Sequence, residues 1–395
     1  MSLRVLISAG EASGDLYAAE LTLELRKRFP HAEFFGCAGP RMQAAGVRPL
    51  LDAASLAVVG LAEVVRHLPR IYRDYRRLLA MIPREQPDLA VLTDSPDFHL
   101  RLAGKLRRWG IPVVYLVAPQ VWAWRPGRLR RMRQAIDLLL CIFPFEEEYF
   151  RRHGLEAHYI GHPLSALLRP RMSRQELTAL LGLDPSKPLV ALLPGSRRDE
   201  AARHLPVLCE AAGLIRRELP AQFVWAAPPG AFPMPCSPAL LEPIRRLSIQ
   251  RIEGASWDVL AAADLALVAS GTATVEAALL GTPMVTFYKV SRLTWLLGRP
   301  LVRVPFYSMV NLVAGRAVVP ELIQNEVRGE RLAGEALRLL RDGEARAAMQ
   351  RALVEVAARL TASENPMTRA VTLIHRQLRR ARSSARSLSW NAPGG

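Results

Sequence analysis

The stretch LLPGSRRDE, residues 192–200, carries an apolar run into Pro194-Gly195, then a hydroxyl, two guanidiniums and two acids. The apolar run LVALLPG (189–195) reads as a strand, and a helix is expected over 199–218. Strand, glycine turn and helix in that order are the unit of a parallel α/β fold. Ser196 and Arg197 on such a turn fit a grip on a phosphate. They also fit any α/β turn in a chain that uses Arg everywhere.

The same unit recurs in both directions along the chain. In the first half, VLISAG (5–10), AEFFGC (32–37), LAVLTD (89–94), VVYLVA (113–118), LLLCIF (138–143) and AHYIG (157–161) are candidate strands, with helical stretches such as 15–29 and 97–109 between them. In the second half the candidates are QFVWAAP (222–228), IQRIEG (249–254), LALVASG (265–271) and PMVTFYK (283–289), with helices over 256–263, 272–280 and 330–360. Two similar series meet in the polar, Pro-containing stretch 164–187. The reading is α/β: two Rossmann-like domains facing each other across a cleft, 1–165 and 188–365, joined by a linker at 166–187. Residues 366–395 are expected to be a helix end that can pack back on the first domain, followed by a basic, Ser-rich disordered tail. In such sheets ligands bind beyond the carboxyl ends of the strands, so the strand-end loops are the place to look.

Bulk composition narrows the class. The chain has 395 residues, is 50% hydrophobic and carries a net charge of +17, so it can bury two cores and suits an anionic partner. Only four of its 53 basic residues are lysines (Lys27, Lys105, Lys187, Lys289), an Arg bias that spreads charge without marking a site. Four scattered cysteines (Cys37, Cys141, Cys209, Cys236) form no CxxC pair, which argues against a disulfide framework or zinc site. The N-terminus does not read as a signal peptide, and no run reaches the roughly 18 apolar residues a membrane span needs. A cytoplasmic protein able to touch a membrane is expected.

The loops then divide. GEASGD (10–15) has glycines at 10 and 14, and Asp15 or Ser13 can cap the next helix; a capped turn and a ligand loop are equally open. In TDSPDFH (93–99), Ser95-Pro96 read as a helix start, with Asp94 at the strand tip and Asp97 in the first turn. Two carboxylates there suit a general base and its partner, or simple complementation of a helix dipole. APQVWAWRPGRLRRMR (118–133) places Trp122 and Trp124 before an Arg cluster, which fits core packing or a phosphorylated, partly apolar substrate. In 56–80, apolar residues are interleaved with Arg66, Arg70, Arg73, Arg76 and Arg77, and Pro69 is expected to interrupt any single helix. This segment reads either as a helix packed on the sheet or as a contact with an anionic bilayer. LVASGTATVEAALLGTPMV (267–285) is the most informative stretch: Ser270-Gly271-Thr272 open a helix, where free N–H groups make an anion site, and Glu276 one turn on can reach a ribose. His162 in YIGHP reads as a structural turn histidine. No P-loop, Asp-x-Asp, GxSxG or metal-ligand spacing is present.

Eight motifs in order, ISAGEASGD, VVGLAEVVRHLPR, TDSPDFH, APQVWAWR, YIGHP, LLPGSRRDE, SGTATVEAALLGTPMV and the NLVAGR to VPELIQ run at 311–324, make the chain resemble the lipid-A-disaccharide synthases of Gram-negative bacteria. The likeness runs from residue 3 to about 375. It implies a GT-B-fold, inverting, UDP-sugar-dependent glycosyltransferase of lipid A biosynthesis. Its substrates would be UDP-2,3-diacylglucosamine and 2,3-diacylglucosamine 1-phosphate. No cofactor and no metal are implied. Carried onto this chain, the resemblance gives Ser196, Arg197, Ser270, Gly271, Thr272, Glu276 and Asn311 to UDP, with Asn311 in a loop lining the nucleotide side. Asp97 is the expected base, with Asp94 and Glu11 as rivals. Gly14, Trp124 and Arg125 fall to the acceptor and its phosphate. Val64, Val65, Leu68, Arg70, Ile71, Arg73 and Arg77 fall to acyl chains and membrane. The first domain thereby becomes the acceptor and membrane domain, the second the UDP-sugar domain. The implied location is the inner face of the inner membrane, with self-association into a homodimer open. Val310 stands where the family usually has Pro before Asn-Leu.

Two other readings compete. A related enzyme acting on plain UDP-N-acetylglucosamine would share the SGT and Glu276 signal. A nucleic-acid-binding protein would share the charge, but the Arg residues are diffuse and no binding motif is present; no nucleic-acid partner is expected.

Overall fold

The computed structural model describes residues 3–53, 61–228 and 238–389. The chain forms two compact units. One takes the described residues of Met1–Ala166, Leu301–Arg303 and Ala362–Gly395; the other takes those of Leu167–Pro300 and Val304–Thr361.

In the first unit the elements are β1 (Arg4–Ser8), α1 (Ala12–Arg28), β2 (Glu33–Ala38), α2 (Pro40–Ala44), β3 (Arg48–Asp52), α3 (Leu61–Glu85), β4 (Leu89–Thr93), α4 (Pro96–Arg108), β5 (Val113–Leu116), α5 (Arg128–Ala135), β6 (Leu138–Cys141), α6 (Pro144–Arg152) and β7 (Ala157–Tyr159), ending in the short α7 (Leu164–Leu167). The second unit runs α8 (Arg174–Leu181), β8 (Leu189–Leu193), α9 (Arg198–Glu218), β9 (Gln222–Ala227), α10 (Pro238–Arg246), β10 (Gln250–Glu253), α11 (Ser256–Ala262), β11 (Leu265–Ala269), α12 (Thr272–Leu279), β12 (Met284–Tyr288), α13 (Arg292–Gly298), α14 (Met309–Ala314), β13 (Glu321–Ile323), α15 (Gly329–Arg341) and α16 (Gly343–Leu360). Helix α17 (Pro366–Ser389) then packs on α1 in the first unit.

Each unit holds one parallel sheet. The first orders as β3-β2-β1-β4-β5-β6-β7, the second as β10-β9-β8-β11-β12-β13. The central strands LVALL, LAVLT and LALVA are buried at every position, because helices cover both faces and leave no wet side for alternation. The first core gathers Leu6, Phe35, Leu92, Tyr115, Leu139 and Phe150; the second holds Trp225, Phe223 and Phe287 at 1% exposure each. Each fully buried side chain of this size contributes about 1.5–3 kcal/mol. In both sheets the chain winds outward for three strands, then returns to the far side of the first. The reversal falls between β1 and β4 and between β8 and β11, the positions where doubly wound sheets bind ligands.

Three expectations need correction. Pro69 does not interrupt α3, which runs from Leu61 to Glu85 with Pro69 and Pro83 inside it. A proline removes one intrahelical bond, and the buried Leu78 and Ile82 hold the helix to the core regardless. The helix expected over 330–360 is two, because the Asp342 side chain accepts the Ala345 N–H at 2.9 Å and caps α16. The stretch expected as a disordered tail continues as helix to Ser389, and 390–395 lie outside the described residues. Within the expected linker, Ser173 and Glu176 form a capping box that starts α8, which packs on α11.

Candidate active site

Register brings the second unit's Gly195 and Gly271 loops together. Leu193 of β8 pairs with Val268 of β11, so Gly195 and Ser270 each lie two residues past paired positions. Gly195 adopts φ +115°, a backbone conformation that strains any residue with a Cβ. Arg197 caps α9 in extended conformation, with its guanidinium 3.4 Å from Glu200 Oε1. His204, fully buried, anchors this turn: Nδ1 lies 2.6 Å from the Pro194 carbonyl and Nε2 3.0 Å from the Lys289 carbonyl. Sequence reading missed it, since the partners are backbone groups far along the chain.

On β11 the chain turns through Ser270 and the exposed Gly271 into α12, whose first turn carries no acid. Gly271 offers no side-chain cap; the Thr274 N–H turns back to the Gly271 carbonyl at 3.1 Å, and the Thr272 and Ala273 N–H groups are open to an anion. Ser270 is not available in the same way. Its N–H donates to the Phe287 carbonyl at 2.8 Å and its hydroxyl to the Tyr307 carbonyl at 2.9 Å. Glu276 sits half-buried one turn into α12. Asn311 lies in α14, not in the loop expected for it. It is 1% exposed; its amide donates to the Val319 carbonyl and Glu321 Oε1, and its oxygen accepts from the Val318 and Val319 N–H groups. All its bonding capacity goes to the protein.

The first unit repeats the arrangement at β1 and β4. Both Asp94 oxygens accept backbone N–H groups across the switch point, from Gly10 at 2.9 Å and Glu11 at 3.0 Å. Asp94 and Ser95 sit in left-handed backbone, at φ 55° and 38°. The Asp94 carbonyl accepts His99 Nδ1–H at 3.0 Å and the Tyr115 hydroxyl, and His99 Nε2 faces Ser8 Oγ at 2.8 Å. Burial pushes the His99 ring down to about 4, which suits a neutral tautomer with the proton on Nδ1. Burial, then the Glu11 charge, pushes the Asp94 carboxyl up to about 8 against the hydrogen bonds it accepts. Gly14 lies buried in α1, and a Cβ there would fall 1.7 Å from Asp94 Oδ2, so its bareness makes room for Asp94. Glu11 is half-buried at the N-cap of α1.

Asp97 differs from Asp94 in every respect. Its side chain is 71% exposed and meets Arg128 at 2.5 Å and Arg125 at 3.3 Å. The two tryptophans also part. Trp122 donates its indole N–H to Glu146 Oε1 at 3.0 Å, and Glu146 Oε2 takes the Ile142 and Phe143 N–H groups. Burial pushes that glutamate up to about 7. Trp124 is 39% exposed, with the Arg125 and Arg128 guanidiniums 4.6 and 5.3 Å from its ring centre. Along α3, Arg70, Arg73 and Arg77 are exposed; the side chains of Val64, Val65, Leu68 and Ile71 lie outside what the structure describes.

Two doubly wound parallel sheets, each presenting strand-end loops at its switch point, define a protein of the GT-B class. The fold is shared with UDP-GlcNAc 2-epimerase from Neisseria meningitidis, bound to UDP-GlcNAc (TM-score 0.61, 13% identity, 96% of this chain and 100% of that one). It is shared likewise with CalG4, the calicheamicin glycosyltransferase (TM-score 0.58, 17% identity, 96% and 99%). The family model for lipid-A-disaccharide synthetase matches residues 5–374, and the lipid-A-disaccharide synthase of Solibacter usitatus is 56% identical over 94% of this chain and 96% of its own length. The chain belongs to the lipid-A-disaccharide synthetase family and is a UDP-sugar glycosyltransferase.

Proposed function

We propose that this chain transfers 2,3-diacylglucosamine from UDP-2,3-diacylglucosamine to the 6-hydroxyl of 2,3-diacylglucosamine 1-phosphate, with inversion at the anomeric carbon. The product is the β-1,6-linked tetraacyl disaccharide 1-phosphate, with UDP released. The observation that carries the reading is the pairing of β8 with β11, which sets the Gly-Ser-Arg turn beside the start of α12 in a chain of this family. Arg197 and the first-turn N–H groups of α12 hold the diphosphate, and Glu276 takes the ribose diol. The acceptor oxygen attacks the anomeric carbon, and the bond to the β-phosphate oxygen breaks with its electron pair leaving on UDP. The hydroxyl proton passes to Asp97, whose exposed carboxylate can reach a ligand, whereas both Asp94 oxygens are engaged by the backbone. Asp94 and Glu11 then serve to hold the loop. Trp124 and Arg125 face the acceptor and its phosphate, and α3 meets an anionic inner-membrane surface on the cytoplasmic side.

The test is incubation with both acylated substrates and mass spectrometry of the product. A disaccharide mass with UDP release is expected. Turnover of unacylated UDP-N-acetylglucosamine would instead favour an epimerase-like or peptidoglycan-type activity. Asp97→Asn should keep UDP affinity and lose about 10²–10⁴ in rate, as removal of a general base does. An active variant would move the base to Asp94 or Glu11.

A further inference from the structure

Ser270 stands in the middle of the nucleotide loop, yet both its donors point into the protein, to the Phe287 and Tyr307 carbonyls. The Tyr307 carbonyl is itself held in place by a carboxylate that no motif reading assigned. Glu321, on β13, accepts the Tyr307 N–H at 2.8 Å through Oε2 and the Ser308 N–H at 2.9 Å through Oε1. Oε1 also accepts the Asn311 amide at 2.8 Å. Asn311 in turn clasps the 318–319 backbone, so the network closes on the segment leading into β13. Three N–H groups converging on one carboxylate make a rigid hub, because charge-assisted bonds are the strong ones and each would be left unsatisfied without it.

We propose that Glu321 is a positioning residue for UDP binding. It locks the Tyr307–Ser308 backbone so that the Tyr307 carbonyl takes the Ser270 hydroxyl. That leaves the Gly271 and Thr272 N–H groups, not the Ser270 side chain, as the donors turned to the diphosphate. This rests on the nucleotide role given above to the start of α12.

The test is a double-mutant cycle on the full chain, reading UDP affinity by calorimetry and donor KM against kcat. Glu321→Gln keeps the shape but sets an N–H₂ against N–H donors; Ser270→Ala removes the hydroxyl. Each alone should weaken UDP binding about tenfold, and the pair no more than either, because residues in one network couple. The loss should fall on donor KM, with acceptor KM unchanged. Unaltered UDP affinity in Glu321→Gln overturns the proposal, and so does a double variant whose losses multiply. Should the Gln variant not fold, Glu321→Asp, which keeps the charge and withdraws it by one methylene, is read by the same criteria. Arg197→Ala runs in parallel. Weakened UDP binding there with intact binding in the Glu321 variants sinks only this inference; intact UDP binding in Arg197→Ala sinks the nucleotide reading and this inference with it.

Discussion

Arg197 lies at the cap of a helix whose first turn already carries Asp199 and Glu200. Those acids neutralise the positive end of α9, so that helix start is a poor anion site and the guanidinium must supply the charge itself. The start of α12 has no acid in its first turn, so no side-chain charge opposes an anion at its Thr272 and Ala273 N–H groups. Arg197→Ala is therefore expected to lower kcat/KM by about 10²–10³, the scale of losing one well-placed donor to developing charge. Steady-state kinetics check it, and a loss under about threefold would remove Arg197 from the phosphate. Asp94 supports a different prediction. Its carboxyl, pushed up to about 8, would titrate near 3.8 in the unfolded chain. Between those values the folded protein holds a proton that the unfolded one has released, so this group's contribution to stability falls as pH rises through 8. In Asp94→Asn that slope vanishes. His99, whose contribution has the opposite sign below its unfolded value, is present in both proteins and cancels in the difference. Denaturant unfolding from about pH 5 to about pH 8.5 should show the variant gaining on the wild type as pH rises. Curves that stay parallel would mean Asp94 is ionised in the fold. Arg197 and Trp124 could be proposed from the sequence because they sit in motifs that lead from a strand into a helix. His204, Glu146 and Glu321 were not seen, because what defines them is burial against backbone groups of distant segments.

Among the elements, α3 poses the sharpest contrast between pattern and fold. Its C-terminal half packs Leu78 and Ile82 into the first core. Before that, Arg70, Arg73 and Arg77 are exposed. The spacing of three and four residues puts the guanidiniums along one side of the helix. A row of cations on one surface suits an anionic bilayer, each contributing about 1 kcal/mol near it. Changing Arg70, Arg73 and Arg77 together to Glu should cut binding to phosphatidylglycerol-containing vesicles by at least about 10² while leaving the fold intact. Vesicle co-sedimentation reads this directly, and undiminished binding returns α3 to an ordinary helix with a wet basic face. Long elements such as α9 and the central strands were legible from their apolar pattern. Proline was over-weighted within α3, because tertiary packing outweighs one missing bond. The three-residue β13 left no pattern of its own, although it places Glu321.

At the scale of the molecule, the repeat of one winding scheme in two units was readable from the alternation of apolar runs and helices. Which loops meet was not, since it depends on strand order, and strand order is set by packing between segments far apart in sequence. The proposed division of labour between the units yields a prediction that no single residue carries. If UDP is held by the strand ends of β8 and β11, then free UDP interacts with the second unit alone. A ligand that binds only the folded form at about 100 times its Kd stabilises what it touches by about 2.7 kcal/mol. Hydrogen exchange of the full chain with saturating UDP should therefore slow in the peptides covering 194–200 and 268–276. Those covering 8–15 and 93–99 should exchange as they do without ligand, because opening there is governed by the Asp94 clamp in the other unit. Adding the acylated acceptor with UDP should bring protection to 93–99 and 122–128 as well. Protection of the Asp94 loop by UDP alone would contradict the assignment of nucleotide to one unit and acceptor to the other.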